Sequence, residues 1–360
     1  MSTDNISTSQ LLSLGVSLSA YRIFTNLPLS FTHFFGTGAP LFSVIAGLIF
    51  FAVLFFLTKK LCHSNSENIF STAEKTFGKF GKYTLFILFW VYIFLSSAFL
   101  LSEFTEFAKL VAFPLSPRWF VAIFFVIAAA LAALSSFDAL GKISTLFVPL
   151  FTGIIIFFLA TVLFQSKPEN LFPVLGTAKA ETLPGIFSCL LIFSDMLLIF
   201  LVMPSKNIKK PVQKTILRAF ISGFFVVFLL VLTYTAKIPY PLSKEESFPL
   251  YLLVKEVYYG RFFQRIDAII LLISALWGMM ALSLNIGLLA GLSKALFGIK
   301  SHFISIFPIS TSMFFAALFL SSSLAHLSQF LLGLAAAALF AGILVLAIFT
   351  KRRRQTPNEN

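Results

Sequence analysis

Charge is what this sequence has least of. Only 11% of its 360 residues are Asp, Glu, Lys or Arg, where an ordinary soluble domain carries about 25%. A water-exposed surface of normal polarity cannot be built from so few. A soluble enzyme, a disordered chain and a nucleic-acid-binding module are therefore poor readings. Cysteine is scarce too. Cys62 lies in a loop and Cys189 in an apolar run, with no CxxC pattern, so neither a disulfide framework nor a zinc site is supported. The four histidines, His33, His63, His302 and His326, are scattered without ligand spacing. No P-loop, HExxH, GxSxG or paired-carboxylate pattern occurs. The expectation is a non-enzyme with no catalytic residue, no metal and no cofactor. Met1 to Gln10 carries no Lys or Arg and no short apolar core before a small-residue cleavage site, so no cleavable signal is expected.

What is abundant is hydrophobicity: 58% of residues, with 48 Phe and a mean hydropathy of +0.95. At about 20 residues per membrane crossing, this composition describes an all-α polytopic membrane protein. Ten apolar segments are legible, at about 7–35, 40–58, 83–107, 118–136, 143–164, 184–203, 214–236, 265–293, 303–321 and 327–350. They form one transmembrane domain over 1–350, followed by a basic cytoplasmic tail at 351–360. Gly36-Thr37-Gly38 makes a tight turn between the first two. Placing both termini in the cytoplasm puts seventeen Lys and Arg inside and nine outside, with Arg22 within a span. Loop charge of that asymmetry sets orientation, and it explains the net charge of +13 without nucleic acid.

The segments also repeat. One to five match six to ten at an offset of roughly 175–185 residues, giving repeats at about 7–164 and 184–350. Pro28 corresponds to Pro204. Phe77-Gly78-Lys79-Phe80 is echoed by Tyr259-Gly260-Arg261-Phe262, each after a semi-polar helical stretch, around Asn68 to Phe77 and Pro249 to Tyr258. Five spans is an odd number, so the second copy enters from the opposite side. That inverted 5+5 plan belongs to transporters whose sites lie at discontinuous helices.

Two charges fall near the centres of the symmetry-related segments. Arg22 lies in the run from Ser19 to Pro28, and a charge at mid-bilayer costs at least about 2.5–3.5 kcal/mol unless paired or hydrated. Pro28 removes a helical amide donor, so segment one is expected to break or loosen between about Leu18 and Asn26. The plainer alternative is a proline kink with Arg22 reaching for the interface. Asp195 occupies the matching place in segment six. The two can form a structural ion pair or flank a ligand, and a zwitterion inserted between them satisfies both readings.

The candidate ligand-binding residues are Tyr21, Arg22, Thr25, Ser96, Ser194, Asp195 and Asn285. Tyr92, Ser96, Phe99, Glu103 and Glu106 share one face of segment three. Glu103 and Glu106 lie close to the outer end, where they can line a vestibule; the plainer and favoured reading is that Glu106 pairs with Lys109 and both reach headgroups. On segment eight Ser283 and Asn285 are polar and deep, while Gly287 and Gly291 form a GxxxG suited to helix packing.

The start Ile6-Ser7-Thr8-Ser9-Gln10-Leu11, the Thr25-Asn26-Leu27-Pro28 break and Phe193-Ser194-Asp195 followed by Pro204 resemble the endospore germination permeases. So does the stretch from Phe248-Pro249 through Gly260-Arg261-Phe262-Phe263-Gln264-Arg265-Ile266-Asp267 to Trp277. These are the B subunits of nutrient germinant receptors, within the amino acid–polyamine–organocation superfamily. The resemblance spans nearly the whole chain and implies ten spans in a LeuT-like arrangement with helices one and six broken. It further implies a location in the bacterial cell membrane or spore inner membrane. Implied partners are an A-type membrane subunit, a C-type lipoprotein subunit, membrane lipids and a small nutrient, often an amino acid. A working proton- or sodium-coupled amino acid permease is the alternative. Superfamily transporters commonly have a glycine-rich break in segment one whose free amides meet a ligand carboxylate. Tyr21-Arg22-Ile23-Phe24 stands there instead, and its guanidinium can either replace those amides or fill the pocket.

Overall fold

The computed structural model describes residues 6–61, 69–176, 191–203, 210–240, 242–244, 247–255, 266–298, 302–320 and 325–350. Outside them lie Cys62, His63, Cys189, Pro204, residues 184–190 of segment six, the Tyr259–Phe262 echo and the tail from Lys351. Among the described residues the regular elements are helical. Within the described residues, six helices are long and apolar enough to cross a membrane by length and composition.

The first segment opens with α1 (Thr8–Ala20). Ser7 caps it reciprocally: the Gln10 amide donates to Ser7 Oγ at 3.3 Å, and the Ser7 amide donates to Gln10 Oε1 at 2.7 Å. That capping box satisfies amides the first turn leaves free. The helix then ends inside the expected break, two residues past Leu18. Tyr21–Phe24 tighten into a 3-10 turn, Thr25 is extended, and α2 (Leu29–Phe35) resumes after Pro28. The break therefore runs from Tyr21 to Pro28, about a turn nearer the proline than expected.

Gly36, at φ +56, turns the chain into α3 (Ala39–Leu61). Next comes α4 (Ile69–Val111), divided at Gly78, whose φ of +72 and ψ of −166 stop one helix and re-aim the next. A side chain there would meet nothing, so glycine is required for its backbone angle alone. Two further helices follow, α5 (Arg118–Ala133) and α6 (Phe137–Phe164).

Segment six is described from Leu191: a 3-10 turn at Ser194–Leu198 followed by α7 (Ile199–Val202). The remaining helices are α8 (Lys210–Lys237), α9 (Pro249–Lys255), α10 (Ile266–Phe297), α11 (His302–Phe319) and α12 (Ala325–Phe349). The described parts of the ten apolar segments fall on these elements; segment one is interrupted, and the described part of segment six contains a 3-10 turn before its short helix.

Packing places α1 at the centre. Every residue of it from Ser13 to Ala20 is buried, against α8, α6 and the segment-six turn. Small residues such as Gly15, Ser17 and Ser19 suit such close helix contact, whereas α3, α5 and α11 turn large side chains such as Leu48, Phe124 and Phe307 outward, as lipid-facing helices do. Trp277, fully buried on α10, donates from Nε1 to Ser17 Oγ at 2.9 Å and meets the Phe24 ring edge-on at 5.7 Å. It thereby fixes α10 against α1 immediately beside the break. Gly287 of the GxxxG lies against Phe137 of α6.

Candidate functional site

The break in segment one and the 3-10 turn in segment six meet at the expected pair. Arg22 Nε donates to Asp195 Oδ2 at 2.6 Å, and both side chains are 0% exposed. Three hydroxyls complete the carboxylate's shell. Tyr21 OH donates to Oδ2 at 2.6 Å, while Tyr92 OH and Ser96 Oγ donate to Oδ1 at 2.6 and 2.9 Å. A carboxylate offers about four lone-pair sites, so its acceptor capacity is used in full by four donors.

Proton counting orders the rest. Ser96 gives its one proton to Asp195 and accepts from Arg22 Nη2 at 2.6 Å. Tyr92 gives its proton to Asp195, so in its 2.7 Å contact with Ser194 it must be the acceptor. Ser194 then either donates to Tyr92 or turns to the Leu191 carbonyl at 2.6 Å. Arg22 is the asymmetric partner. Its Cζ lies 5.0 Å from the Tyr21 ring and 5.8 Å from the Phe99 ring, contacts of cation–π type. Its Nη1 has no hydrogen-bond partner among the described residues. The site thus retains one free donor and no free acceptor on the acid.

Local sequence explains the placement. Opening the helix frees backbone groups that must be satisfied. Thr25 does this: its amide and its Oγ1 both donate to the Arg22 carbonyl, at 3.0 and 2.7 Å. Its hydroxyl is therefore engaged with the backbone of the break, where it holds Arg22 in place. Tyr92 and Ser96, four residues apart, share the face of α4 turned toward Asp195, as the 3.6-residue period dictates. Asn285 is fully buried on α10, and neither of its amide atoms has a partner among the described residues. Two contacts between α4 and α10, Trp90 Nε1 to Ser293 Oγ at 2.9 Å and Phe104 against Gly278, make the helices antiparallel. Asn285 lies between those levels, abreast of Ser97. It shares the depth of the charge pair without a hydrogen bond to it.

Two expectations on α4 are corrected. Glu106 pairs with Arg118 at 3.2 Å rather than with Lys109. Glu103 does not reach for headgroups. It is buried and accepts from the Asn26 amide at 2.8 Å and from Asn26 Nδ2 at 3.3 Å. The Asn26 Oδ1 in turn accepts from the Phe248 amide at 2.7 Å. Phe248 has φ +56, a left-handed conformation that costs a bulky residue roughly 1–2 kcal/mol. Sequence reasoning noticed the α4 stripe but left Tyr92 out of the site. The four-residue step to Ser96 was the available signal. Nothing local marked Asn26, whose partners lie 77 and 222 residues away.

No curated protein matches the chain. A family model described as spore germination protein matches residues 41–325. The match begins after the break that carries Tyr21, Arg22 and Thr25, and it includes Ser96, Ser194, Asp195 and Asn285. With so much of its length matched, and with a helical, membrane-spanning architecture, the chain belongs to the spore germination protein family.

Proposed function

We propose that the chain is the B-type subunit of a nutrient germinant receptor. It holds a small zwitterionic nutrient, an amino acid, between Arg22 and Asp195 and acts with an A-type membrane subunit and a C-type lipoprotein in the spore inner membrane. The same reading takes the helices as ten spans in an inverted 5+5, LeuT-like arrangement. The placement of the charge pair where segments one and six are both interrupted supports it.

The observation that carries the ligand class is the electroneutral, fully buried Arg22–Asp195 pair. A lone carboxylate ligand would add uncompensated negative charge in an apolar interior, and a lone amine uncompensated positive charge, either at high cost. A zwitterion inserted between the two side chains exchanges one ion pair for two and leaves the total charge at zero. Its carboxylate meets the Arg22 fork, where Nη1 is already free to donate. Its ammonium meets Asp195, replacing a donor that now occupies the acid. In the closed arrangement Arg22 and the three hydroxyls stand where ligand atoms would be.

The test is thermal unfolding of the purified full-length chain with single amino acids, and with propionate or propylamine as half-ligands. A zwitterion at 100 times its Kd should stabilise by about 2.7 kcal/mol, a shift of a few degrees, and neither half-ligand should. Equal stabilisation by a half-ligand would overturn the zwitterion assignment. Uptake of the stabilising amino acid into proteoliposomes separates the roles: binding without accumulation supports the receptor subunit, and gradient-driven accumulation supports the permease. Orientation is checked independently. A reporter fused after Arg354 should read cytoplasmic and one in the Pro239–Phe248 loop external; the reverse pattern would overturn the orientation, and both on one side would remove the inverted-repeat assignment.

A further inference from the structure

Asn26 joins three elements that are distant in sequence. Its backbone amide and Nδ2 donate to the two oxygens of Glu103 on α4, and its Oδ1 accepts from the amide of Phe248, the residue leading into α9. It sits one residue beyond Thr25, which is itself bonded to the Arg22 carbonyl. A short run of backbone therefore connects the charge pair to this joint. Every hydrogen-bonding group of the Asn26 side chain faces a partner of the correct sense, an arrangement that Asp, Ser or Ala cannot reproduce.

The segment held by the joint is set apart from the main core at its leading end. Phe248 and Tyr251 pack with Phe107, at ring distances of 5.2 and 5.7 Å, in a small aromatic cluster of their own. Leu250, Leu253 and Val254 anchor the other face of α9 in the main core. Phe248 is held at positive φ, and strain of this kind persists only where neighbours over-determine it. The neighbours here are the aromatic cluster and the bond to Asn26. Release of that bond lets the first turn of α9 lift while the rest of the helix stays seated.

We propose that Asn26 is a positioning residue that couples the broken helix to α9. When Arg22 leaves Asp195, the strand from Arg22 to Asn26 shifts, the bond to the Phe248 amide opens, and the leading turn of α9 is freed. Only the mobility of the broken segment is taken from the proposed function. No ligand is needed for the test, so failure of one leaves the other standing.

The test is amide hydrogen exchange at Phe248 in the full-length protein in lipid, because that amide is itself the reporter. Asn26→Asp sets two carboxylates against each other, and Glu103→Gln sets two amide donors against each other. Each should raise exchange at Phe248 about tenfold, the loss of roughly one hydrogen bond. The double variant Asn26→Asp/Glu103→Gln reverses donor and acceptor and should restore protection to within about twofold. This rescue assigns the protection to the Asn26–Glu103 hydrogen bonds, and the next variant separates coupling from a merely structural role. Asp195→Asn, which loosens Arg22 without touching the joint, should also raise exchange at Phe248, and should add nothing in an Asn26→Ala background. Unchanged exchange in both single variants would overturn the proposal. So would a double variant worse than either, or an Asp195→Asn effect that persists in full without Asn26. Where a single variant fails to accumulate, recovery of accumulation and protection together in the double supports the coupling, and its failure to recover refutes it.

Discussion

Asp195→Ala is expected to remove most of the folded protein from the membrane, and to do so more severely than Arg22→Ala. Breaking a buried ion pair from one side costs about 3–5 kcal/mol, because the remaining charge is stranded, and the two directions are unequal here. Without Arg22, the carboxylate keeps three donors, from Tyr21, Tyr92 and Ser96. Without Asp195, the guanidinium keeps only the Ser96 hydroxyl and cannot be deprotonated. Arg22→Ala should therefore fall near about 3 kcal/mol and Asp195→Ala near about 5 kcal/mol. The charge-swapped pair should recover only part of the loss, since three hydroxyls that now donate toward position 195 would have to accept there instead. Membrane abundance at matched expression, with unfolding midpoints for variants that accumulate, gives the order. Equal tolerance of both alanines, or full recovery by the swap, would show that the hydroxyl shell contributes little.

That asymmetry was not legible from the sequence, although the pair itself was. Two charges stand out in apolar runs because mid-bilayer charge is costly, and Pro28, six residues beyond Arg22, marks where a helix gives up a donor. Both signals are local and strong. Tyr92 carries no such mark, although Ser96 on the same face was a candidate. A tyrosine in an apolar helix packs as readily as it donates, and only the arrival of Asp195 from 103 residues away decides which. Glu103 misled for the opposite reason. A carboxylate near a helix end usually meets headgroups, and its burial here depends on Asn26 folding back over it. The helices themselves were readable because hydrophobic length is nearly sufficient to define a span. The exact limits of the break were not, since Thr25 and the 3-10 turn at Tyr21–Phe24 settle them through their own hydrogen bonds.

Close helix approach supplies the second large effect, at Gly223 of α8. A Cβ there would sit 1.8 Å from Ser19 Oγ and 2.6 Å from Ser19 Cβ, and real side chains do not pack so tightly. Ser19 cannot simply turn away. Its hydroxyl donates to the Gly15 and Val16 carbonyls at 2.9 and 3.1 Å, and its Cβ is fixed by a buried backbone. Gly223→Ala must therefore push α1 from α8. Overpacking of this kind costs roughly 1–3 kcal/mol, and the upper end is expected because Ser19 stands three residues before Arg22, so displacement carries into the charge pair. The small helical preference for alanine over glycine, about 1 kcal/mol in water, does not offset it. Adding Ser19→Ala removes the 1.8 Å contact but leaves the one at 2.6 Å, so it should rescue little. Adding Ser19→Gly removes both, leaving 3.3 Å to the Ser19 backbone carbon, and should rescue most of the loss. Gly153→Ala on α6, where a Cβ meets nothing within 4 Å, is the neutral control. Unfolding midpoints in one detergent rank the four variants. A Gly223→Ala protein as stable as Gly153→Ala would mean that α1 and α8 do not touch at Ser19, and with that contact would go the seating of the broken helix against α8.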